Sequence, residues 1–112
     1  MAGSANDAKL VVQLAQWGAT MGLEEAVGAL FAEEFDPETA SMTDGAVRKV
    51  AYFNETIGTL VKNGLLDKDL VLDWLWVAGA WDRVGPAALK ARERLNPKLY
   101  ENFEALAKAQ GG

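Results

Sequence analysis

The sequence predicts an all-α protein: a single compact bundle of about five helices, the fourth long and kinked or split at Gly85-Pro86. Apolar residues recur at three- and four-residue spacing, with little of the strict alternation of a strand. Capping residues and glycines punctuate the chain at ordinary helix lengths. Half of the 112 residues are hydrophobic, enough for one core and too few for two.

The first periodic segment runs from about Asp7 to Met21, with Leu10, Val11, Leu14, Trp17 and Met21 on one stripe. Gly22 stands where a left-handed cap is wanted, and a second helix resumes at Leu23 or Glu24 with Val27, Leu30 and Phe31 on one face. Pro37 disfavours helical geometry at Asp36, so the stretch up to Asp44 reads as a loop. Thr43 or Asp44 caps a third helix, about Gly45 to Lys62. This helix points Val47, Val50, Phe53, Ile57 and Val61 inward and leaves Arg48, Lys49, Tyr52, Glu55, Thr59 and Lys62 mostly outward.

Asn63-Gly64 closes the third helix, and Asp67 opens a fourth that runs from about Lys68 toward Leu95. Proline removes a backbone donor and crowds the preceding turn, so the interruption is expected at Gly85-Pro86. Asn96-Pro97 then supplies a cap and a first-turn proline for a last helix carrying Leu99, Phe103 and Leu106. Residues 1–6 and 110–112 are expected to fray, leaving 1–112 as one helical domain.

Composition narrows the chemistry. The chain has neither cysteine nor histidine, which removes disulfides, thiolate metal sites, the commonest general base and the usual haem ligand. A cofactor is therefore not expected, and an enzyme would have to work through carboxylates, lysines, tyrosines or hydroxyls. The net charge of −5 repels a phosphate backbone on average, so nucleic acid is an unfavoured partner. No basic region followed by an apolar run opens the chain, and no apolar stretch reaches the roughly 20 residues of a bilayer span. A cytoplasmic protein is expected.

The densest aromatic stretch, Leu70 to Trp81, is apolar on two sides when drawn as one helix. Leu70, Trp74, Val77, Trp81 and Val84 share one face, while Leu72, Trp76 and Gly79 point nearly the opposite way. Either neighbours surround this helix, or Leu72 and Trp76 form an exposed patch for a partner or a second copy. Asn54, in the apolar face of the third helix, needs a buried partner. It can bond a backbone carbonyl across the bundle, with Gly58 one turn on allowing close approach, or line a ligand pocket with Tyr52 or Tyr100.

Other groupings have simpler readings. Asp67, Asp69 and Asp73 lack the spacing of a calcium loop and suit a cap and a helix dipole. Glu24, Glu25, Glu33, Glu34, Asp36 and Glu38 scatter around the second helix as a solvated face. Arg83, Lys90 and Arg94, with Arg92 and Lys98 nearby, form a basic stripe diluted by Glu93 and Glu101. No phosphate-binding loop, nucleophile elbow or HExxH motif is present.

Three segments carry a resemblance: Phe53-Asn54-Glu55-Thr56-Ile57-Gly58, then Leu60 through Asp67, and Leu99 through Ala107. In this order, over roughly residues 45–108, the chain resembles a family of small uncharacterised helical bacterial proteins classed as a domain of unknown function. The resemblance implies a helical fold and no activity, substrate or catalytic residue. The expected function is a non-enzymatic interaction or regulatory module that self-associates through Leu72 and Trp76. The alternative is a small-molecule-binding domain using Asn54 and nearby aromatics.

Overall fold

Ser4 starts the first helix with a reciprocal cap: its side chain accepts from the Asp7 amide, and the Asp7 carboxylate accepts from the Ser4 amide. The computed structural model describes residues 4–111. Six helices follow in order: α1 (Ala5–Met21), α2 (Leu23–Leu30), α3 (Gly45–Lys62), α4 (Lys68–Trp74), α5 (Val77–Arg94) and α6 (Glu101–Gln110). No strand occurs among the described residues.

Local chemistry sets most boundaries. Gly22 adopts φ 77°, ending α1 and beginning α2 in one residue, a geometry a side chain would resist. Asp44 accepts from the Ala46 and Val47 amides at the start of α3, and Asp67 accepts from the Leu70 amide at the start of α4. Asp7 also takes the Asp67 amide at 3.0 Å, tying the beginnings of α1 and α4 together. The Ser4 hydroxyl, which donates to the same carboxylate at 2.8 Å, and then the Asp67 amide hold the Asp7 carboxyl below its ordinary pKa.

The bundle is built around α3, which packs against α2, α5 and α6. Val47, Val50, Phe53 and Ile57 from α3 meet Leu30, Val71, Val77, Val84 and Phe103 in a core from which water is excluded. Gly58 sets the closest approach: a Cβ built there would lie 2.7 Å from the Asn102 carbonyl oxygen of α6. The Cα radius of gyration, 13.7 Å, is close to the ~13 Å of a compact domain this long.

Three boundaries differ from expectation. The long fourth helix is split at Leu75-Trp76, whereas α5 runs unbroken through Gly85-Pro86. The bond Pro86 cannot donate would have gone to the Asp82 carbonyl, on an exposed residue where water can replace it. The last helix begins at Glu101, because Tyr100 adopts φ 58° and leaves Asn96 to close only a turn, accepting from the Lys98 amide. Of the ends expected to fray, residues 1–3 and 112 lie outside the described residues. Ser4 through Asn6 form the cap and first turn of α1, and Gln110 is anchored by its side chain.

Candidate functional site

The break between α4 and α5 is held open by a residue from the far end of the chain. Gln110 Nε2 donates to the carbonyls of Leu72 at 2.9 Å and Leu75 at 2.7 Å, while its Oε1 accepts from the Ala78 amide at 2.8 Å. A helix end normally leaves such groups without partners, so one amide side chain here closes both ends of the break. Leu75 is extended, at φ −116° and ψ 141°, and Trp76 stands at the cap position before α5, where its side chain makes no capping hydrogen bond.

That geometry turns Trp76 outward. It is 69% exposed, the most exposed tryptophan of the chain, yet its ring is seated on two sides. It stacks on Phe31 of the α2 end with centroids 5.6 Å apart and planes 17° apart. It also lies over Gly79, where a Cβ would come within 2.4 Å of the indole. The Arg83 guanidinium sits 5.3 Å from the centre of the Phe31 ring, adding a cation–π contact. Phe31 is 39% exposed, so tryptophan and phenylalanine together present a fixed aromatic face.

The other expected site residues fall in different places. Leu72 is half-buried against the core, and the break removes the helical register that would have aligned it with Trp76. Asn54 is buried and donates to the Val50 carbonyl of its own helix at 2.9 Å, not to a carbonyl across the bundle. It borders a slot of about 180 Å³ beside Trp76. Tyr52 and Tyr100 border a different hollow, with Met21, Arg48 and Lys49. The structure therefore separates Asn54 from both tyrosines. Burial, then the Glu55 carboxylate, raises the Tyr100 pKa above its ordinary value.

The basic stripe is likewise dispersed. Arg83 is engaged with Phe31, Lys90 donates to the Glu38 carbonyl, and Arg92 turns inward. Arg92 pairs with Glu104 at 2.8 Å, donates to the Leu99 carbonyl at 2.7 Å and lies 5.7 Å from the Trp81 ring centre. Lys108 and Arg92 together hold the Glu104 carboxyl below its ordinary pKa. No group of three or more acidic residues that could hold a metal ion occurs among the described residues. No described helix is long and apolar enough to cross a membrane.

Sequence reasoning missed Glu55 and Gln110. Glu55 reads as an outward polar residue of the third helix and Gln110 as part of a fraying end, yet both act on helix ends distant in the chain. Only a carboxamide on the last turn of an otherwise amphipathic α6 hinted at Gln110.

Neither a curated protein nor a solved structure matches the chain significantly. A family model does, and it extends the resemblance seen over residues 45–108 to nearly the whole sequence. Matched over residues 4–110, the chain belongs to the family described as a domain of unknown function (DUF4760).

Proposed function

We propose that this protein is a non-enzymatic helical interaction module that pairs with a second copy of itself through the face formed by Trp76 and Phe31. The observation that carries this reading is that Trp76 is fully placed by the fold and yet left open to solvent. An exposed indole held by a stacked ring and a glycine seat has little freedom to lose on binding, which is the property of an anchor. Val27, at 36% exposure on the adjoining helix, widens the apolar surface beyond the two rings. A two-fold pairing places the same patch on both copies, so the two anchors meet in one self-complementary contact.

Sedimentation of the wild type and of Trp76→Glu tests the proposal. The wild type is expected to gain mass with concentration, and Trp76→Glu to remain helical and monomeric. A wild type that stays monomeric at high concentration, or a Trp76→Glu variant of unchanged mass, overturns it.

A further inference from the structure

The slot of about 180 Å³ beside Trp76 is lined by Phe31, Phe53, Trp74, Trp76 and Ala80, and Asn54 belongs to the same lining. Asn54 is the one residue of the lining with an amide or a hydroxyl group, and it is only 6% exposed. Its bond to the Val50 carbonyl must come from Nδ2, since two carbonyl oxygens cannot share a hydrogen bond. That assignment leaves Oδ1 on the other side of the amide. Oδ1 meets no protein donor among the described residues, and it is not one of the polar atoms sealed from solvent. Water can therefore meet Oδ1, and a molecule that displaces this water from the slot must supply a donor in its place.

We infer that the slot binds a small uncharged molecule, chiefly a single ring, that carries a hydroxyl or N–H group to donate to Asn54 Oδ1. The walls are aromatic and aliphatic and offer no charged partner, so they disfavour an ion. The unpaired group is an acceptor, so the ligand must be a donor. The volume admits one ring. A second hollow of about 350 Å³ along α1 and α2 shares the Phe53 and Trp74 walls and leaves room for a short aliphatic extension. This goes beyond the pairing of two copies and does not rest on it. Trp76 borders the mouth of the slot, whereas the specificity comes from Asn54.

Phenol and toluene, nearly equal in shape, differ in the one feature the inference requires. The full chain, labelled with ¹⁵N, is titrated with each. Phenol is expected to give saturable shifts at the Asn54 side-chain amide, the Trp76 indole and Ala80, and to bind about tenfold more tightly than toluene despite its greater polarity. Asn54→Leu should reverse the preference. Should that variant fold poorly, the contrast on the wild type still decides. Equal affinities, a wild-type preference for toluene, shifts confined to other surfaces, or no saturation would each overturn the inference and leave a slot holding water. Sedimentation reads mass and the titration reads these resonances, so failure of either proposal leaves the other standing.

Discussion

Glu55 of α3 and Phe103 of α6, separated by 48 positions in the chain, are joined where α6 begins: Glu55 Oε1 accepts from the Phe103 amide at 2.8 Å. Its other oxygen accepts from Asn102 Nδ2 at 2.9 Å. Tyr100, at the cap position of α6, makes no side-chain hydrogen bond to the helix, so a carboxylate from the neighbouring helix does the work of a cap. Replacing Glu55 with alanine should cost about 1–2 kcal/mol, as loss of a cap does. Glu55→Gln, which keeps an acceptor oxygen, should cost about half as much. Urea unfolding of the three proteins measures this. Equal stabilities would mean that water caps α6 as well as Glu55 does.

Gln110→Ala removes three hydrogen bonds at once from the break between α4 and α5. The Leu72 and Leu75 carbonyls and the Ala78 amide are then met by water where water can reach. The site is part-buried, so a loss of about 2 kcal/mol is expected. Hydrogen exchange should localise the effect, with faster exchange at Ala78 while α3 stays protected. Uniformly faster exchange would show instead that Gln110 supports the whole bundle.

These two residues explain why the sequence predicts some of the architecture and not the rest. Gly22, Asp44 and Asp67 act on backbone groups within a few positions of themselves, so their helix ends are legible from spacing alone, whereas the Ser4 cap falls in a stretch that reads as frayed. The break at Leu75-Trp76 depends on an amide 35 positions away, and no local residue announces it. Pro86 does announce a break, but one that an exposed carbonyl makes unnecessary. At the candidate site, the apolar excess of the fourth segment pointed to Trp76. Its stacking on Phe31 is created only when α2 docks beside the break.

Acid should weaken the fold through Glu104, among other carboxylates. Lys108 and Arg92 lower its folded-state pKa below the ordinary 4.5, so the unfolded chain binds the proton more readily. The stabilisation is therefore complete above the unfolded value and is lost as pH falls through the folded one. Glu104→Gln should flatten that acid limb. At neutral pH it should cost about 1 kcal/mol, a modest figure because the Lys108 side of the pair is exposed and screened. Chemical denaturation at pH 7 and in the acid range checks both statements, and parallel pH profiles for the two proteins would contradict the first.

Gly58→Ala and Gly79→Ala are the same substitution with opposite expected results. At Gly58 the new methyl group meets main chain: the Asn102 carbonyl oxygen at 2.7 Å and its carbon at 2.8 Å. Two helices must separate to admit it. The gain in helix propensity, about 1 kcal/mol, is outweighed by overpacking of about 1–3 kcal/mol, so a net loss is expected.

At Gly79 the nearest atoms the methyl group would meet belong to the Trp76 ring, at 2.4 Å. That ring is exposed, belongs to a rotatable side chain and can swing aside, so Gly79→Ala should hold or slightly raise the melting temperature. The displaced indole leaves its stack on Phe31, and self-association should weaken even though Trp76 is still present. A stable Gly79→Ala variant with a changed tryptophan signal and reduced mass on sedimentation would locate the contact in the placement of Trp76. Full association by that variant would assign the contact to the apolar side chain itself, whatever its orientation.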